Sequence, residues 1–171
     1  MPDLGHVAVG LAAGRAYAGA RVNEPGGLRA AAAFSALALL PDLDLVGRLF
    51  GVPALAPWGH RGAAHSVLAA LFVAAAAVPL CRALRLPVRR AALFVLCVVA
   101  SHGALDMLDT GALGVACLWP LSASRFFWPL RFLPGPPPGE HWLTFAGARA
   151  VLWGVVPFLP LFAWALRPRR S

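Results

Sequence analysis

The chain has 171 residues, of which 60% are apolar and only 13% charged, with a formal net charge of +8. Roughly 25% charged residues is usual for a soluble domain, so this composition excludes an ordinary water-soluble globule. It points to an all-α, polytopic membrane helix bundle of four to five transmembrane helices, built as a single domain over residues 1–171.

The predicted elements follow from apolar runs of about 20 residues, the length that crosses a bilayer. The first runs from Leu4 to Ala20; it is short and interrupted by Arg15, so an interfacial or half-inserted helix is an alternative. The second runs from Leu28 to Val46, the third from Ala64 to Cys81, the fourth from Ala91 to Asp109 and the fifth from Phe145 to Leu166. The connections at 23–27, 51–59 and 133–139 are rich in Gly and Pro and read as breaks. The long link from Thr110 to Thr144 carries a short apolar piece, Gly111 to Leu121, readable as re-entrant, then the interfacial aromatics Phe126, Phe127 and Trp128. No basic n-region precedes the first run, so it is expected to be retained as a membrane segment. Cys81, Cys97 and Cys117 form no CxxC pair and read as small apolar residues.

Every basic residue is an arginine. Arg21 and Arg29 flank the first connection, Arg82, Arg85, Arg89 and Arg90 fill the third, and Arg167, Arg169 and Arg170 follow the last run. Five alternating spans put these three places on one side, which the positive-inside rule makes cytoplasmic. The expected location is therefore the cell inner membrane, multi-pass, with the N-terminus outside and the C-terminus inside. Membrane lipids are the expected surroundings; nucleic acid is disfavoured, because no basic stripe accompanies the polar residues.

On that map all five histidines fall on the outer half, with most of the acids. His6 starts the first run, Asp42 and Asp44 end the second, His60 and His65 lead into the third, and His102, Asp106 and Asp109 end the fourth. His141, Glu140 and Asp3 are placed there too. His102, Asp106 and Asp109 are spaced i, i+4 and i+7, one face of a helix. Ionisable residues in an apolar helix are costly unless paired or facing a cavity, so this stripe is a site hypothesis. Imidazole nitrogen with carboxylate oxygen suits a divalent metal, Zn²⁺ first, with Mn²⁺ or Fe²⁺ as alternatives. Asp42 and Asp44 point about 200° apart on a helix, so both reach one site only if the chain leaves the helix near Pro41. Gly62 permits the turn that two histidines five apart require, Arg61 offers an anion-matching fork beside them, and Ser66 is a candidate helix cap.

These pieces resemble the LexA-regulated, inner-membrane-associated family of metal-dependent hydrolases. The matching stretches are His6, Leu40-Pro41-Asp42-Leu43-Asp44, His60-Arg61-Gly62 with His65-Ser66, and Ser101-His102 with Asp106 and Asp109, followed by Trp119-Pro120. They cover roughly residues 1 to 130 and keep the family's order of motifs. The resemblance implies a hydrolase with a helical membrane fold and a distant likeness to zinc phospholipase C and P1-type nucleases, whose HxxxD helix His102 and Asp106 fit.

The expected site therefore holds one or two metal ions on His65, His102, Asp106 and Asp42 or Asp44, with His6 and His60 as further ligands. Asp109 or Asp44 is the expected base and Arg61 the expected anion stabiliser. The expected substrate is an ester or phosphoester, a lipid included, near the outer leaflet. A metal-ion or proton transporter and a non-catalytic protein with a structural metal are the competing expectations.

Overall fold

A computed structural model describes residues 4–20, 22–110, 113–135 and 144–167. Asp3, Arg21, Glu140, His141, Arg169 and Arg170 lie outside them, as do the first two residues of the apolar piece that starts at Gly111. The helices are α1 (Leu4–Ala18), α2 (Pro25–Leu39), α3 (Val46–Leu49), α4 (Val67–Ala83), α5 (Val88–Asp106), α6 (Phe145–Val155) and α7 (Leu159–Leu166). Among the described residues there is no strand, only two isolated bridges, Asp109 with Leu133 and Val115 with Phe126.

Three stretches are long and apolar enough to cross a membrane: Pro25–Leu49, Val88–Asp106 and Gly147–Leu166; Val67–Ala83 is a shorter apolar helix. Many large apolar side chains on these helices face outward, among them Leu71, Phe72, Leu80, Leu93, Leu152 and Trp153. In water that surface would be a severe cost; in lipid it is the expected exterior. α1 differs from the first predicted span. Its 15 residues rise about 22 Å, short of the roughly 30 Å hydrocarbon core.

Proline explains the departures from regular helix. At Leu40 the second segment tightens into a 3₁₀ stretch, Leu40–Leu45, with Pro41 at its start. The fifth predicted run is divided by a 3₁₀ turn, Val156–Phe158, which carries Pro157. A proline has no N–H to give to the preceding turn, so the α-helical ladder lapses there. Ser66 does cap α4: its hydroxyl accepts the Ala69 N–H at 3.0 Å.

Along the chain α1, α2, α4 and α5 alternate in direction, which gathers one set of ends around the histidines and the other around the arginines. Phe34 and Ala38 of α2, Ala70 and Ala74 of α4, and Val95, Val98 and Val99 of α5 form the main core. α1 lies against α2 through Gly10 and Gly14, four residues apart. A Cβ on Gly10 would stand 2.4 Å from the Ser35 Cα, and one on Gly14 2.4 Å from the Ala31 Cα. The obstacles are backbone atoms, which cannot rotate away. This is the small-residue spacing by which membrane helices approach closely. Gly14→Val is therefore expected to separate α1 from α2 and lower stability by about 3 kcal/mol; a thermal melt in detergent with an unchanged midpoint would refute the packing.

Candidate metal centre

Four segments converge at the histidine end of the bundle. The 3₁₀ stretch Leu40–Leu45 supplies Asp42 and Asp44, the loop before α4 supplies His60, Arg61 and His65, the end of α5 supplies His102 and Asp106, and the start of α1 supplies His6. Close approach of two segments needs Gly103: a Cβ there would sit 2.7 Å from the His65 carbonyl oxygen. The missing side chain lets His65 lie directly beside His102.

Asp42, His65, His102 and Asp106 each offer one atom to a common point, with all four atoms within 4.8 Å of one another. His65 Nε2 is 3.5 Å from Asp42 Oδ1 and 3.5 Å from Asp106 Oδ2. His102 Nε2 is 3.3 Å from Asp42 Oδ1 and 3.6 Å from Asp106 Oδ2. A tetrahedral ion with ligands at 2.0–2.1 Å separates them by about 3.3 Å. Each of these four edges is within a few tenths of that value. The two imidazole Nε2 atoms are also buried without a hydrogen-bond partner. A buried polar atom left unmatched costs free energy, whereas a cation at the common point would match both. The donor set of two nitrogens and two oxygens fits a divalent metal.

The surrounding contacts orient this set. His102 Nδ1 lies 2.6 Å from the Ala38 carbonyl oxygen. When Nδ1 carries the proton and donates it there, Nε2 is left basic and aimed at the carboxylates. His65 is bracketed, with Asp42 on its Nε2 side and Asp44 Oδ2 3.1 Å from its Nδ1. Asp44 also accepts the Arg61 backbone N–H at 3.1 Å and pairs with His60 Nδ1 at 2.8 Å. Asp44 thus sits behind the histidines rather than at the common point. The Asp42 and Asp44 pair serves one site because the chain has left the α-helix by Pro41.

His60 faces Asp44 and lies 3.9 Å from Asp42. A second group, Asp44, His60 and His65, also has metal-ligand spacing. His6 is fully inside the bundle, its ring stacked on that of His102 at 3.7 Å. Its Nε2 faces the other oxygen of Asp106, Oδ1, at 3.4 Å. Burial lines the site almost completely: the Asp42 and His60 side chains retain 19% and 18% exposure, against 6% or less for the rest of the set. The mouth is therefore on the Asp42–His60 side.

Asp109 departs from the predicted stripe. α5 ends at Asp106, and Asp109 lies in the turn beyond it. It is fully buried and accepts a hydrogen bond from Arg61 Nη2 at 2.8 Å. Arg61 Nε is 3.1 Å from Asp106 Oδ2. Arg61 and Asp109 therefore hold each other and brace Asp106. Arg61 itself has φ +63°, a left-handed conformation that costs a side-chain-bearing residue about 1–2 kcal/mol. Its N–H on Asp44 and its carbonyl on the Ala116 N–H hold that turn.

Two contributors escaped the sequence reading. Arg125 donates to the carbonyls of His60, Gly114 and Ala54 at 3.0, 3.3 and 2.8 Å, tying three loop segments over the site. Burial, then the nearby positive Arg61, lowers its pKa. Its place directly before the aromatic run Phe126, Phe127 and Trp128 was the available signal. The Ala38 carbonyl that orients His102 has none, since any residue provides one.

Two comparisons locate the chain among known proteins. It is 39% identical over 102 residues to the inner membrane protein YbcI of Escherichia coli K12. The matched part is 59% of this chain and 59% of that relative, so the match spans about three-fifths of the relative's length. No solved structure matches the chain. The YdjM inner membrane protein family matches residues 1–168. Both names give a location in the inner membrane, in accord with the apolar helices, and neither names a reaction. The chain belongs to the YdjM inner membrane protein family.

Proposed function

We propose that this protein is a metal-dependent hydrolase of the inner membrane that cleaves an ester or phosphoester, with membrane lipids among its substrates. The observation that carries the reading is the convergence of two unpartnered, buried imidazole nitrogens and two carboxylate oxygens, all within 4.8 Å of one another. Asp42, His65, His102 and Asp106 would hold the ion, Zn²⁺ best by donor type, with Mn²⁺ and Fe²⁺ also compatible. Such an ion supplies Lewis acidity, which polarises the scissile group and makes water a better nucleophile at neutral pH.

The remaining residues divide the other tasks. His60 sits at the mouth with Asp44 on its Nδ1, which fixes a tautomer whose Nε2 is free to take the proton lost by water. Arg61 and Asp109 brace Asp106 from behind. His6 packs His102 in place and faces the outer oxygen of Asp106. The arginine-rich helix ends favour the cytoplasm, so the histidine end would open toward the outer leaflet with the N-terminus outside. Asp106 ends its helix and His102 lies one turn inside it, a depth that suits an ester or phosphate in a lipid headgroup.

The test is hydrolysis by the detergent-purified, full-length protein of bis(p-nitrophenyl) phosphate, a carboxylic ester and phospholipid vesicles. Turnover that a chelator abolishes and added Zn²⁺ or Mn²⁺ restores is the expected result. Stoichiometric metal without turnover on any of the three would sink the catalytic reading; metal uptake into proteoliposomes in its place would make the site a transport site.

A further inference from the structure

The opposite end of the bundle carries a second built surface, unconnected with the metal centre. The hairpin between α4 and α5 holds Arg82, Arg85, Arg89 and Arg90, all exposed. The other described acids lie at the histidine end, so Glu24, at the start of α2, is the one described acid at this end. Beside the hairpin lies a groove of about 510 Å³ formed by Pro87, Val88, Arg89, Arg90, Leu93 and Phe94, with almost wholly apolar walls. A cationic rim over an apolar trough has the two-part chemistry of a phospholipid.

The arginines are positioned by the fold. Arg90 donates to the Ala16 carbonyl at 3.2 Å and lies over the rings of Tyr17 and Phe94, at 5.1 and 5.8 Å. These contacts hold its guanidinium at the groove's edge without neutralising it. Arg85 has φ +55°, the conformation in which helix ends ordinarily use glycine. Leu86 N–H to the Cys81 carbonyl and Leu84 N–H to that of Leu80 close the end of α4 around it. Glycine would relieve the strain there; arginine adds a positive charge to the hairpin beside the groove instead.

We propose that this groove binds one anionic phospholipid, its phosphate among Arg85, Arg89 and Arg90 and an acyl chain along Leu93 and Phe94. Opposite charge draws the headgroup to the rim, and the shallow apolar surface meets the chain. A zwitterionic lipid fills the trough equally well but leaves the excess charge unmatched.

Native mass spectrometry of the full-length protein in a non-ionic detergent, titrated with dioleoyl phosphatidylglycerol or dioleoyl phosphatidylcholine, tests this. The wild type should retain phosphatidylglycerol roughly tenfold better. Arg85→Gln with Arg89→Gln should remove most of that preference, and Arg85→Lys with Arg89→Lys should keep most of it. Both positions are exposed, and an unchanged melting temperature would show that the fold persists. Arg48→Gln with Arg131→Gln, at the histidine end, should leave it intact. Equal retention of the two lipids by the wild type would overturn the proposal. So would undiminished preference in the Gln pair, or the same loss in the Arg48 and Arg131 pair, which would mean attraction by overall charge.

Discussion

Alanine at both His102 and Asp106 is expected to remove the ion held by the four-atom group. The pair contributes one nitrogen and one oxygen to the four-atom group, and the two left behind, on Asp42 and His65, cannot enclose an ion. Loss of one supporting contact around a metal ligand typically weakens affinity by about 10- to 100-fold, and loss of two ligands should exceed that. Elemental analysis of wild type and double variant, purified side by side in detergent, reads the outcome directly. Wild type should carry at least one divalent ion per chain, and the variant about one fewer, since only the group of Asp44, His60 and His65 is left intact. Full occupancy in the variant would refute the assignment. The wild type should also lose thermal stability on chelation while the variant does not, because an ion that binds only the folded state stabilises it.

The second large effect is on stability. Arg61→Met should destabilise the protein by about 3–5 kcal/mol. Arg61 is buried between Asp106 and Asp109, with Nη2 2.8 Å from Asp109 Oδ2 and Nε 3.1 Å from Asp106 Oδ2. Removing the guanidinium leaves Asp109 in the interior without that counter-charge. The apolar stem is roughly replaced by methionine, so the change isolates charge from volume. Adding Asp109→Asn to Arg61→Met should recover a substantial part of the loss, since the amide needs no counter-ion. Thermal unfolding in detergent reports both. A single variant that melts with the wild type would mean that the ion pair contributes nothing to folding.

Much of the helical plan was legible in the sequence, because a bilayer demands long apolar runs and polar breaks, and both are visible in composition. Each of the five apolar runs contains helix. The ends were less legible. The run at 91–109 looked like one helix to Asp109, but the chain turns after Asp106, where Arg61 draws Asp109 aside. Periodicity sees a repeat of 3.6 residues; it cannot see an arginine 48 positions away. The pairing of Asp42 with Asp44 was readable as a demand that the helix end near Pro41, and the 3₁₀ stretch meets it. Which of the two faces the common point was not readable, since it depends on how His65 lies between them. Gly103 shows the same limit: its neighbour His102 marked the region, but only the packed backbone of His65 shows why no side chain fits.

The shortness of α1 bears on how the protein assembles. Among the described stretches, α1 is not one of those long and apolar enough to cross alone, and Arg15 lies within it. Its place comes from neighbours: Gly10 and Gly14 seat it on α2, and Arg15 donates to the carbonyls of Ala165 and Arg167 at the end of α7. A segment that gains its position from helices later in the chain must wait for them to be inserted. His6 would then reach the stack on His102 only after α5 has been made, well after α1 itself, making closure of the site a late event in biogenesis.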